Sequence, residues 1–259
     1  VVELALANGG VASASQVSPK LSVMLSPLSW LEMFINAGRG FHSNDARGAT
    51  RRTDPADLLV AATGYEVGTA LRPMSGLKLT AAAYALELDS EQVYVGDAGT
   101  TEPSDASRRY GVELTGTLSL SSAVKADAAL TLNRAVYRAN EGNAGSVALA
   151  PTRTLTGGIT GEAPFGSFAA LRVRHVGERA ATEDRSIIAD GWTTLSTLLG
   201  HRQGPFELEL AIDNLLDAQW REVQFATESR LEDEAQPVEE IHFAPGWPFS
   251  ATMTLRAYF

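Results

Sequence analysis

From Phe249 to Phe259 the chain alternates without a break. Phe249, Ala251, Met253, Leu255, Ala257 and Phe259 share one parity, and Ser250, Thr252, Thr254, Arg256 and Tyr258 share the other. Successive side chains of a β-strand point to opposite faces, so a period of two describes a strand with one apolar and one polar side. The period recurs along the chain. Tyr110, Val112, Leu114, Leu118 and Leu120 oppose Gly111, Glu113, Thr115, Thr117 and Ser119, and Val124, Ala126, Ala128, Leu130 and Leu132 oppose Lys125, Asp127 and Thr131. Phe206, Leu208, Leu210 and Ile212 oppose Glu207, Glu209 and Asp213, while Leu155 and Ile159 oppose Thr152, Thr154, Thr156 and Thr160. LRVRHV sets Arg172 and Arg174 against Leu171 and Val173, whereas LKLTAAAYALEL fits either phase. Apolar residues make up 44% of the chain, but they rarely recur at the three-and-four spacing of an amphipathic helix. The pattern predicts an all-β protein.

The connections narrow the choice. SPLS (26–29), RPMSG (72–76), LSSA (120–123), APFGS (163–167) and HRQGP (201–205) have the Pro, Gly and Ser content of tight hairpin turns. Long polar stretches at 40–56, 96–108, 138–147, 178–190 and 226–246 alternate with them. Long loops on one rim and short turns on the other are the pattern of an antiparallel transmembrane β-barrel. The spacing predicts about twelve strands, most of roughly ten or more residues, as a bilayer crossing requires. Trp30, Trp192, Trp220, Trp247 and Tyr258, near strand ends, would suit the aromatic girdles of such a barrel. A last strand kept complete also has a physical reason, because an unfinished edge in lipid leaves backbone groups unpaired.

Composition excludes several classes. The net charge of −10 offers no basic stripe to neutralise phosphates, so nucleic acid is not an expected partner. Zero cysteines rule out a disulfide framework and thiolate metal sites. No apolar run approaches the ~18 residues of a membrane-spanning helix. The mean hydropathy of −0.05 is compatible with membrane strands, whose two faces cancel in an average. VVELALANGG carries no basic, apolar leader, so a removed signal or a longer parent chain is expected.

The C-terminal region carries a more specific likeness. AIDNLLDAQWRE followed by FAPGWPFSATMTLRAYF resembles the end of TonB-dependent receptors. The matching positions are Asn214, Leu215 and Asp217, with Leu216 where the family usually has Phe, and Trp220 as the following aromatic. Pro245, Gly246, Trp247, Pro248 and Phe259 complete the motif. SPKLSVMLSP, NAGRGFHSND (36–45), YEVGTALRP (65–73) and RRYGVELTG (108–116) are similar to further strands of that family. The resemblance implies a barrel of about 22 strands with a plugged lumen, in the outer membrane of a Gram-negative bacterium. It also implies uptake of a scarce ligand that is siderophore-like, cobalamin or a carbohydrate. Residues 1–259 are then expected to be the C-terminal half of the barrel domain, without the plug. The TonB system would be engaged only through the missing N-terminal part. Outer-membrane lipid and lipopolysaccharide are the implied surroundings, and the barrel-assembly machinery is the implied reader of the terminal strand. No cofactor is implied.

Enzyme chemistry is not expected. His42, His175, His201 and His242 lie in separate segments without metal-ligand spacing. No Ser-His-Asp arrangement can be argued, GRG (38–40) lacks the strand-then-helix setting of a phosphate loop, and GDAG (96–99) begins a predicted loop, where turn chemistry explains it. Glu66, Glu113, Glu207, Glu209 and Arg256 fall on the polar parity of their strands. A charge at the lipid midplane costs roughly 2–4 kcal/mol, so these five are expected to face the lumen. There they would line a ligand path or pair with one another. Arg47, Arg51 and Arg52 form a basic loop suited to an anionic ligand or a lipopolysaccharide phosphate. The stretch 225–243 carries six acidic residues and one Arg, which is either a solvated loop or a cation-attracting one. Two other readings stay open: a passive pore closed from about twelve strands, and an inactive structural fragment.

Overall fold

A computed structural model describes residues 10–44, 49–50, 56–90, 92–95, 100–140 and 145–259. In chain order the strands are β1 (Lys20–Leu28), β2 (Leu31–Ser43), β3 (Leu59–Met74) and β4 (Leu77–Leu88), then the short β5 (Gln92–Val95) and β6 (Thr100–Pro103). β7 (Ser107–Ser119), β8 (Val124–Tyr137), β9 (Arg153–Glu162) and β10 (Ser167–Val176) follow, then the short β11 (Arg179–Ala180) and β12 (Ile188–Ala189). The chain ends with β13 (Trp192–Gln203), β14 (Phe206–Asp213), β15 (Arg221–Ser229), β16 (Val238–Pro245) and β17 (Ser250–Ala257).

Eleven strands form one sheet in the order β1-β2-β3-β4-β7-β8-β9-β10-β13-β14-β17. Every neighbouring pair is antiparallel. This is a plain up-and-down meander, and among the described residues the sheet is not closed. Its eleven strands accord with the expected number of about twelve. The other extended segments pair off within the connections, as β5-β6, β11-β12 and β15-β16. β17 ends at Ala257 rather than at the last residue, although the Tyr258 N–H still donates to the Pro205 carbonyl at 2.9 Å.

The two rims differ as the connections predict. Short turns at 29–30, 75–76, 120–123, 163–166 and 204–205 lie on one side, and connections 44–58, 89–106, 138–152, 177–191 and 214–249 lie on the other. Gly76 and Gly166 hold their turns with φ of 80° and 91°, a region that costs residues with a Cβ. A Cβ on Gly166 would also stand 2.3 Å from the Arg202 carbonyl.

Register assigns a face to every side chain. One row runs Ile35, Val67, Ala83, Val112, Leu132 across five strands. Its neighbour runs Met33, Thr69, Ala81, Leu114, Leu130, Leu155. The ambiguous LKLTAAAYALEL is resolved: Leu79, Ala81, Ala83 and Ala85 join this apolar face, and Lys78, Thr80 and Tyr84 the polar one. Ile35, Met33, Val67, Val112 and Leu114 are exposed, as expected of a wall whose apolar side meets lipid instead of a protein core. Glu87 falls on the apolar parity, but at the long-connection rim, where Arg108 bonds it at 2.8 Å.

On the polar face, large side chains lie over glycines of the adjacent strand. Phe34 covers Gly68 and Phe168 covers Gly200, so that a Cβ there would meet the ring at 2.3 and 2.0 Å. The aromatic expectation needs correction. Trp192 lies on the polar face and packs against Trp220 at 4.6 Å, and Trp247 sits in the 214–249 connection. These three are not girdle residues. Tyr65 and Tyr110 are exposed on the apolar face and paired to Ala85 from either side.

Burial concentrates towards the long-connection rim, where strand ends such as Val60, Ser107 and Ala135–Tyr137 meet the connections. Ala135, Tyr137 and Val147 form a small core, with Tyr137 only 2% exposed. The 138–152 connection folds back onto 177–191 through Ser146 N–H to Glu183 O at 2.9 Å and Leu149 N–H to Ala180 O at 2.7 Å. The acidic stretch 225–243 is a β-hairpin rather than a loop. β15 and β16 pair from Arg221 to Ser229, with Phe225 stacked on His242.

Candidate ligand-binding surface

All five residues expected in the lumen share the polar face. Glu66 lies opposite Asn36, whose amide donates to its carboxylate at 2.8 Å. Glu113 lies between Ala82 and Thr131 on the neighbouring strands. Near the 204–205 turn, Arg256 of β17 donates to Glu207 at 2.7 Å and also bonds Glu209. Arg202 of β13 closes on the same Glu207 carboxylate, and its guanidinium lies 4.6 Å over the Phe168 ring. The Glu207 side chain is 6% exposed. A carboxylate so enclosed is tolerable because two guanidinium groups satisfy it. Glu207, Glu209, Arg202 and Arg256 are therefore tied into the wall, and the cluster pins the edge strand β17 to β14.

The C-terminal motif has a structural role. Asn214 is 3% exposed and adopts a left-handed φ of 49°. Its amide donates to the carbonyls of Ala218 at 2.9 Å and Trp247 at 3.2 Å, and its oxygen accepts the Ala218 N–H at 3.0 Å. The Leu215 N–H donates to Leu195 O at 2.7 Å, and Asp217 accepts the Phe249 N–H at 3.1 Å. Pro245 pairs with Arg221 at the end of β16. Gly246 lies under the Trp220 ring, where a Cβ would come within 2.1 Å. Phe259 projects free of the sheet.

Arg47, Arg51 and Arg52 lie outside the described residues, as does GDAG (96–99). The histidines are dispersed: His175 bonds Thr193, His201 bonds Ser167 and His242 bonds Ser229. Among the described residues no three His, Asp or Glu side chains gather as a metal site.

At the tip of the 177–191 connection, the hydroxyl of Ser186 donates to Asp184 at 2.7 Å and its N–H at 3.0 Å. These bonds, with the Thr182 hydroxyl, hold the Asp184 carboxyl down at about 2. Because the folded group titrates below its ordinary 3.8, its contribution is complete above that pH and disappears as pH falls through about 2. Protection of peptide 182–188 against hydrogen exchange, relative to the unfolded rate at each pH, is expected to be full above pH 4 and to fall progressively from there to about pH 2. In Asp184→Asn it should be low throughout, and equal protection in the two proteins would refute the assignment.

Two cavities open beside the polar face. One, of about 430 Å³, lies near the edge strand β1 and is lined by Lys20, Gly38, Gly64 and Glu66 among others. The other, of about 390 Å³, lies under the 214–249 connection. It brings together Arg174 from β10, Thr194 and Ser196 from β13, Asp213 at the end of β14, and Trp220, Glu222 and Trp247 from the connection. None of these was a candidate ligand residue on sequence grounds. The alternation signals that Arg174 and Asp213 are on the polar side, but only the folding of the last connection places them together.

Comparison with known proteins agrees with this architecture. Among solved structures the chain is similar to the ferric yersiniabactin uptake receptor FyuA of Yersinia pestis, with a TM-score of 0.69 and 16% identity over 93% of this chain and 37% of that one. The copper transporter OprC gives a TM-score of 0.69 at 15% identity, over 93% and 39% of the two chains. The ferric-catecholate import receptor Fiu of E. coli gives 0.67 at 19% identity, over 93% and 34%. The chain thus spans well under half the length of these receptors. Comparison with curated proteins finds no match. The model of the TonB-dependent receptor-like β-barrel matches residues 4–215, and the chain belongs to that family.

Proposed function

We propose that this chain is part of the wall of an outer-membrane receptor that takes up a scarce small molecule at the expense of energy delivered through TonB, without catalysing a reaction. The observation that carries the reading is the sorting of connections, short at one rim and long at the other, on a sheet with one apolar and one polar face. Long connections supply a ligand-facing surface, and the polar face supplies a hydrated path beneath it. The ferric chelates and copper named for FyuA, Fiu and OprC belong to those proteins.

The strand number bears on the passive-pore alternative. Among the described residues the antiparallel meander has eleven strands, so the first and the last of them run in the same direction. Joining β17 directly to β1 would require one parallel pair in an otherwise antiparallel wall. An odd number of further strands restores alternation, which fits a sheet that continues into the rest of a larger barrel. Lipid and lipopolysaccharide would then meet the apolar face, and the terminal strand would be the part presented to the assembly machinery.

The test is uptake by cells that carry the whole receptor gene, offered ferric chelates, cobalamin and labelled oligosaccharides in turn. Accumulation of one of them that is lost on deleting either the receptor or TonB is expected. Uptake that persists without TonB would instead identify a passive pore.

A further inference from the structure

We propose that the cavity of about 390 Å³ under the 214–249 connection is a binding site for a neutral sugar. The proposal deepens the receptor reading and rests on it. The volume lies in the range of small-molecule sites. Its aromatic wall is held in place by the fold. Trp220 packs on Trp192 at 4.6 Å, donates from its indole to the Trp247 carbonyl at 2.9 Å, and lies over Gly246. Trp247 itself is 72% exposed, a large apolar ring with no place in a core.

The polar lining is unusual for this wall. Neighbouring arginines are spent on partners: Arg172 on Asp127, Arg202 on Glu207, Arg221 on Asp190. Arg174 bonds no described residue and only faces the Trp192 ring at 5.7 Å. The carboxylates of Asp213 and Glu222, in the same cavity, likewise make no hydrogen bond or ion pair to a described residue. The hydroxyls of Thr194, Ser196 and Ser250 complete the lining.

Charge decides among ligand classes. One guanidinium faces two carboxylates, so an anionic metal chelate would meet an excess of negative charge on a chain already at −10. A small organic cation would satisfy the carboxylates but leave Arg174 opposed. A bare metal ion has only two carboxylates and no histidine here. Sugar hydroxyls both donate and accept. They can donate to Asp213 and Glu222 and accept from Arg174 and the serine and threonine hydroxyls. The C–H face of a pyranose supplies the apolar surface that an exposed indole can cover.

The full receptor, purified in detergent, would be applied to an array of neutral gluco-, xylo-, galacto- and manno-oligosaccharides. The strongest binder would then be titrated against tryptophan fluorescence, with ferric citrate and cyanocobalamin as comparison probes. At least one neutral oligosaccharide is expected to bind, and Trp247→Ala, Asp213→Asn and Arg174→Gln should each weaken it at least tenfold. Folding of each variant is checked by heat-modifiable mobility on gels. Binding of no neutral oligosaccharide, or binding that all three variants leave intact, overturns the proposal. Should ferric citrate or cyanocobalamin bind with this dependence on the three residues instead, the site stands but the sugar assignment falls. Should a sugar bind as expected while its uptake is indifferent to TonB, the sugar site stands and the energised-receptor reading falls.

Discussion

Leu114→Arg is expected to destabilise the assembled barrel by about 2–4 kcal/mol, while Thr115→Arg, one residue further along, changes it by no more than about 0.5 kcal/mol. The two positions are adjacent in β7 and equally open in the chain by itself. Leu114 stands in the row with Ala81 and Leu130, and Thr115 in the row with Thr80 and Ala129. Burial in the isolated chain cannot separate them, so any difference must come from the medium on each side. A guanidinium forced into hydrocarbon near mid-strand cannot reach the interface without distortion, whereas on the polar face it enters water among other charges. The measurement is a urea titration of the full receptor refolded into phospholipid vesicles, with the folded fraction read from heat-modifiable gel mobility. Equal effects of the two substitutions would mean that both faces see water, and the membrane-wall reading would be wrong.

Most of this architecture is visible in the sequence because a single-layer wall depends on local pattern. Each strand meets only its two neighbours, and its side chains face one of two media, so parity along Tyr110–Leu118 or Phe206–Ile212 carries nearly all the information about orientation. Turns are equally local: Gly76 and Gly166 mark bends that other residues would resist. The alanine run in β4 was illegible for the same reason, since alanine suits either medium. Only pairing with Leu114 and Val112 on β7 gives it a side.

The connections are a different matter. β15 and β16 look like acidic loop because their alternation is diluted by Glu239, Glu240 and Pro237. Trp192 looks like an interfacial anchor until Trp220, 28 positions later, is seen to lie against it. The cavity lining is scattered from Arg174 to Ser250 and is joined only by tertiary folding of the last connection. Parity puts Glu66, Glu207, Glu209 and Arg256 on the polar face. That Glu66 bonds Asn36, and Arg256 both Glu207 and Glu209, rests on distances that parity does not contain.

Asn214→Ala is expected to cost roughly 4 kcal/mol of local stability in the 214–249 connection. Three hydrogen bonds, at about 1 kcal/mol each, vanish with the amide, and the left-handed backbone at φ 49° adds about 1–2 kcal/mol for a residue with a bare Cβ. The components can be separated. Asn214→Gly relieves the backbone but loses all three bonds, for roughly 3 kcal/mol. Asn214→Asp keeps the acceptor for the Ala218 N–H but loses the two donated bonds and sets an enclosed carboxylate against the Ala218 and Trp247 carbonyls, so it costs more than the roughly 2 kcal/mol of the bonds alone. Ala is therefore expected to be more damaging than Gly, and Asp to be damaging in spite of its compatible backbone. Hydrogen exchange across 214–222 and 244–250 measures the damage, and fluorescence of the Trp192–Trp220 pair reports whether the aromatic wall has shifted. Damage should reach that wall, because the Asn214 amide and the Trp220 indole converge on one acceptor, the Trp247 carbonyl. With one of two donors removed, the carbonyl keeps its bond to Trp220 but loses its link to the end of β14. If Ala and Gly proved equally damaging, the backbone component would be absent. If Asp matched the parent protein, the donated bonds would carry nothing. The second result would leave the Asn-Leu-Leu-Asp stretch without the stapling role that its geometry assigns.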